Sequence, residues 1–82
     1  MVTVKVRLFG SLRERAGRAE LALELPPGAT AQSAWEALVV SFPALAERRA
    51  SLAVAVNRLY ADFETELQDG DEIVFIPPVS GG

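Results

Sequence analysis

Cysteine and histidine are both absent from this 82-residue chain, and each absence closes off chemistry. No disulfide braces the fold, no Cys- or His-ligated zinc site can form, and neither a cysteine nucleophile nor a histidine-based triad is available. Serine, threonine, lysine, tyrosine and carboxylates remain, and an enzyme working alone with that inventory is not expected. Basic charge is also scarce: 8 Lys and Arg stand against 11 Asp and Glu, giving a net charge of −3 and a pI near 4.8. That balance argues against a nucleic-acid binder, whose affinity rests on neutralising phosphates. No apolar run approaches the ~20 residues of a membrane span, and the N-terminus lacks a signal-peptide pattern. A cytoplasmic protein with no membrane partner is the expectation.

What is present is ordinary globular material, 50% hydrophobic and 23% charged, enough for one domain and too little for two. Residues 2–9 alternate, with Val2, Val4, Val6 and Leu8 on one side and Thr3, Lys5, Arg7 and Phe9 on the other. That is the period of a strand with one buried face. Gly10 and Ser11 end it, and the Arg-rich stretch to Arg18 reads as a long connection. A second alternation places Leu21, Leu23 and Leu25 inward and Glu20, Ala22 and Glu24 outward, until Pro26-Pro27-Gly28 stops the ladder.

Thr30 is placed to cap a helix, and Ala31, Ala34, Trp35, Leu38 and Phe42 form the apolar stripe behind it. Trp35 and Leu38 are expected against the even residues of the first strand. Pro43 ends that helix or starts a short turn, in which Leu45 points inward. A third strand is expected near Leu52, Val54 and Val56, a turn at Asn57-Arg58, and an irregular stretch through Leu67. Asp69-Gly70-Asp71 turns the chain into a last, central strand, Ile73-Val74-Phe75-Ile76. The pattern predicts an α+β fold, a mixed β-sheet with one main helix packed on one face. Six acids and no base lie between Asp62 and Glu72, read as solvated turns. Asp69, Asp71 and Glu72 lack the ~12-residue ligand spacing of a calcium loop, and no metal is expected.

Two features do not follow from folding alone. The chain closes with Pro77-Pro78-Val79-Ser80-Gly81-Gly82, and the prolines bias this segment to extended geometry. Residues 1–76 are therefore expected to form the domain and 77–82 a projecting tail. A frayed terminus would also fit a terminal diglycine. The chemical alternative is access: residues without Cβ let a main-chain carboxylate thread a narrow channel to an ATP phosphate. Adenylation then replaces hydroxide by AMP, a far better leaving group. The second feature is Phe9, which shares its face with Thr3, Lys5 and Arg7 and is expected to be exposed. If the last strand pairs beside the first, Ile76 extends that patch with Tyr60 nearby, and Arg13 and Glu14 flank it. The competing placement folds Phe9 over the strand end into the core.

These residues resemble the small, sulfur-carrying subunits of molybdopterin synthases, within the ubiquitin-like β-grasp sulfur carriers. The resemblance rests on Leu8-Phe9-Gly10-Ser11-Leu12-Arg13-Glu14 with Gly17, on Pro27-Gly28-Ala29-Thr30, on Val54-Ala55-Val56-Asn57, and on Asp69 through Gly82. It implies a ubiquitin-like β-grasp fold with no bound cofactor. An E1-like adenylyltransferase would consume ATP to adenylate Gly82, and a sulfur donor protein acting through that enzyme would convert it to a thiocarboxylate. The tail, Pro77 to Gly82 with Ile76 at its root, would then enter the large synthase subunit, where the sulfur is given to a cyclic pyranopterin precursor. Phe9, Tyr60 and Ile76 match the hydrophobic contact positions of such carriers. Two other readings share the same tail: a protein modifier joined to lysines through Gly82, and an interaction domain whose tail is inert. Carriers for thiamine or for tRNA thiolation also end this way.

Overall fold

The computed structural model describes residues 1–48 and 52–78. The elements are strands β1 (Val2–Leu8), β2 (Glu20–Leu25), β3 (Ala53–Val56), β4 (Leu59–Ala61) and β5 (Glu72–Ile76), and helices α1 (Gly10–Ala16) and α2 (Ala31–Ser41). A 3-10 helix covers Pro43–Arg48. The five strands form one sheet in the order β2-β1-β5-β3-β4. β5 lies parallel to β1 and antiparallel to β3, so the last strand is central and the sheet mixed. This is the β-grasp arrangement that the resemblance implies.

The alternation in β1 holds. Val4, Val6 and Leu8 are buried on the face covered by α2, together with Leu25, Val54, Ile73 and Phe75. Ala31, Ala34, Trp35 and Leu38 supply the helix side of that core, while Phe42 is half-buried against it. Phe75, on the central strand, is the hub. The Trp35 ring meets it edge-on at 5.2 Å between centroids, and Phe63 stacks on it at 6.1 Å. Leu45 is fully buried from the 3-10 helix, as its position after Pro43 predicts.

α2 begins where Thr30 predicts. The Ser33 N–H donates to Thr30 Oγ1 at 3.3 Å and the Thr30 N–H donates to Ser33 Oγ at 3.1 Å, a reciprocal capping box. Two more first-turn N–H groups, of Ala31 and Gln32, donate to the carbonyls of Thr65 and Phe63. The loop after β4 therefore completes the cap, and Asp62 shapes that loop by accepting from the Glu64 N–H and the Thr65 hydroxyl. Thr30→Ala removes one side of this arrangement. The expected loss is about 1 kcal/mol, read as a fall of roughly 4–8 °C in melting temperature.

Two expectations are corrected. The stretch after Gly10 is not a connection but the helix α1. Leu12 anchors it at full burial, and Gly17 in the left-handed region (φ 74°) closes it by donating to the Arg13 carbonyl at 2.8 Å. The Arg15 guanidinium ties it to the 3-10 helix through the Ala44 carbonyl at 3.0 Å. The stretch after Arg58 is not wholly irregular either. Asn57 (φ 52°) and Arg58 (φ 70°) make a two-residue turn, and β4 returns antiparallel along β3. Two further acids build turns: Asp69 accepts the Thr3 N–H at 2.8 Å, and Asp71 accepts from Asn57 and from the Gln68 N–H.

Candidate docking face at the root of the tail

With α2 on one side of the sheet, the other side is left open. Strand register defines its rows. One row runs Glu20, Arg7, Val74, Ala55, Tyr60 across all five strands; beside it Lys5 faces Glu72, and Ile76 faces Ala53. Because side chains alternate, these residues lie opposite the core set of Val6, Leu8, Val54, Ile73 and Phe75. Ala55 is sheltered yet stands outside the core cluster, as its outward position requires.

Phe9 completes the face. β1 ends at Leu8, and Phe9 is the residue before α1, but its backbone is still extended (φ −128°, ψ 162°) and continues the alternation by one step. It is 46% exposed, with the Arg7 guanidinium carbon 5.7 Å from its ring centroid. The alternative placement inside the core is thereby excluded. Tyr60 is 82% exposed, and its neighbour Leu59 is 73% exposed. Ile76 and Pro77 are half-buried and Pro78 is exposed. Thus Phe9, Val74, Ile76, Ala53, Ala55 and Tyr60 make an apolar area bounded by Lys5, Arg7, Glu20 and Glu72.

The strand that delivers the tail runs through the middle of this area. Its exit is set by the β1–α1 corner. Gly10 adopts φ 55°, and a Cβ at that position would sit 3.5 Å from Pro77 Cγ, so the proline ring lies against the glycine. Arg13 is exposed one helical turn beyond Phe9, its N–H donating to the Phe9 carbonyl at 3.4 Å, with no ion pair among the described residues. Val79, Ser80, Gly81 and Gly82 lie outside the described residues. Pattern reading alone missed Val74 as part of this face, and it set Arg7 beside Phe9 without giving it a part in docking. The signal for Val74 and Arg7 was there, since both share parity with Ile76 and Phe9 on their own strands.

Among the described residues no three His, Cys, Asp or Glu side chains group as metal ligands, and no helix is long and apolar enough to cross a membrane. What the site offers is a surface beside a strand end. A ubiquitin-like β-grasp domain with an open sheet face leading into its C-terminal segment is the class these features define.

Within that class, the chain belongs to the ThiS family, whose profile matches residues 6–82. The molybdopterin synthase sulfur carrier subunit of Arabidopsis thaliana is 41% identical over 81 residues, covering 99% of this chain and 84% of the relative. The crystal structure of SAMP1 from Haloferax volcanii, a small archaeal modifier protein, superposes with a TM-score of 0.88 at 31% identity, covering 98% of this chain and 99% of that one. A chain of the complex between subunits 1 and 2 of the molybdopterin-converting factor from Helicobacter pylori matches at a TM-score of 0.70 and 28% identity, covering 99% of this chain and 100% of that one.

Proposed function

We propose that this chain is the sulfur carrier subunit of a molybdopterin synthase and works as a substrate of its partners rather than as a catalyst. In the cytoplasm an E1-like adenylyltransferase docks the open sheet face and admits the tail. The Gly82 carboxylate attacks the ATP α-phosphate, releasing pyrophosphate and leaving an acyl-adenylate. A sulfur nucleophile, delivered from a donor protein through the activating enzyme, displaces AMP, and the product is a Gly82 thiocarboxylate. The charged tail then enters the large subunit, where its sulfur attacks a cyclic pyranopterin precursor. Water then cleaves the resulting acyl C–S bond, which leaves the sulfur on the pterin and returns the spent carrier as the carboxylate; two such deliveries build the dithiolene. Gly81 and Gly82 suit this role because a backbone without Cβ passes closely between walls and adopts any φ.

The observation that carries this reading is the continuity of the face with the tail. β5 contributes Val74 and Ile76 to the apolar area and passes into Pro77 and Pro78 at its end. A partner seated on the face is thereby aligned with the chemistry. The test is the intact mass of tag-free protein after incubation with its activating enzyme, ATP and a sulfur donor. Exchange of one oxygen for sulfur, located at Gly82, is expected. No exchange with an enzyme active on another carrier would leave an interaction domain with an inert tail. The likeness to a small archaeal modifier protein favours a second reading, attachment of Gly82 to lysines. Lysine-linked adducts in digests of the host's extract distinguish it.

Docking itself is tested by Phe9→Arg. Phe9 is half-exposed, outside the core cluster, and gives no side-chain cap to α1, so stability should change by less than about 1 kcal/mol. Placing a second cation beside Arg7 in the middle of a contact should weaken binding to the large subunit by roughly 30-fold or more, as for a hot-spot residue. Unchanged binding would remove this face from the interface.

A further inference from the structure

Arg7 is the one cation in the row that leads into the apolar area, between Glu20 on one side and Val74 on the other. Its Nε is 3.8 Å from Glu20 Oε2 and its Nη1 is 3.9 Å from Glu72 Oε2. These are ion-pair separations, too long for hydrogen bonds. The Arg7 side chain makes no hydrogen bond to another described residue. The Glu20 carboxylate is also shared, with Lys5 Nζ 3.9 Å from its Oε1. Exposed, loosely held pairs of this kind contribute little. The guanidinium therefore lies over Phe9, partly exposed and held within the chain only by these loose ion pairs.

Covering Phe9, Val74 and Tyr60 with a partner removes that exposure. A desolvated guanidinium whose donors find no acceptor is strongly disfavoured, so the assembled interface has to answer it. A carboxylate answers it best, because the planar fork accepts two oxygens at once. We infer that Arg7 determines partner specificity on this face, and that the large subunit presents a carboxylate to it within an otherwise apolar contact. This rests on the docking reading above. The competing arrangement is internal: Glu20 and Glu72 close the remaining gap and neutralise Arg7 themselves.

The two arrangements differ in sign. If the acid comes from the partner, Glu20 and Glu72 compete for Arg7 and repel the incoming carboxylate, so neutralising them strengthens binding or leaves it unchanged. If they are the counterions, neutralising them weakens it. The experiment is titration calorimetry of the full chain with the purified large subunit, at low and moderate salt. It compares the wild type, Arg7→Met, the double variant Glu20→Gln with Glu72→Gln, and Phe9→Arg, each confirmed folded by its melt. Arg7→Met is expected to raise Kd ~30-fold or more and to flatten its salt dependence, while the double Gln variant keeps or lowers Kd. Weaker binding by the double Gln variant overturns the inference, as does an Arg7→Met affinity indistinguishable from wild type while Phe9→Arg still weakens. A Phe9→Arg affinity equal to wild type overturns the docking reading, and this inference with it.

Discussion

Deleting Gly82 alone is expected to abolish sulfur loading while leaving the melting temperature unchanged. The shortened chain still ends in a glycine carboxylate, so the loss is one of reach rather than of chemical type. Removing one extended residue withdraws the carboxylate by ~3.3–3.6 Å. Reacting atoms have to meet at ~3–3.5 Å, and a misplacement of only ~1 Å can lower a rate ~100-fold. A carrier docked by its sheet face cannot slide forward to recover that distance, because Phe9, Val74 and Ile76 belong to the same rigid sheet corner as Pro77. Among the described residues the core cluster, by contrast, runs from Val4 to Phe75 and includes neither Pro77 nor Pro78. Intact mass after incubation with activating enzyme, ATP and sulfur donor reads the first half of the expectation, and a thermal melt reads the second. Loading of a folded deletion variant at the wild-type rate would mean that Gly82 is not the reacting residue.

Elements that bury one clean face were legible in the sequence. β1 alternates over its whole length, and α2 carries both a stripe and a capping residue, so local pattern and tertiary role agree. α1 was not legible. It has seven residues, with Leu12 alone fully buried, far below the ~12–15 at which an isolated helix holds. Its stability comes from Leu12 in the core and Arg15 on the Ala44 carbonyl, neither of which is a local signal. β4 was missed for a related reason. Its three residues show no period, and its turn places Arg58 at φ 70°, where Gly is the usual marker. The docking face was legible as far as parity carries: Phe9 was placed from β1, and Ile76 followed once β5 was set beside β1. Arg7 was placed on the right face, but its position between Glu20, Glu72 and Phe9 depends on register, which one strand does not reveal.

Phe75→Ala should produce the largest loss of stability. Phe75 is fully buried on the central strand and takes the edge of Trp35 on one side and the Phe63 ring on the other. A buried Phe→Ala change costs ~3–5 kcal/mol, out of a total stability of ~5–15 kcal/mol for a domain. For a domain this small each kcal/mol shifts the melt by ~4–8 °C, so a fall of roughly 15–30 °C is expected by circular dichroism. A drop of only a few degrees would mean that Trp35 and Phe63 close over the gap and that the hub lies elsewhere. The functional consequence runs opposite to that of the Gly82 deletion. Phe75 faces the core, whereas its neighbours Val74 and Ile76 face outward, so the variant keeps every docking side chain and the whole tail. Below its lowered melting temperature it should still be loaded with sulfur, and above it loading should vanish together with the folded signal. Loss of loading in the folded variant would mean that the core side of β5 also sets the aim of the tail, most directly by shifting Pro77 on Gly10.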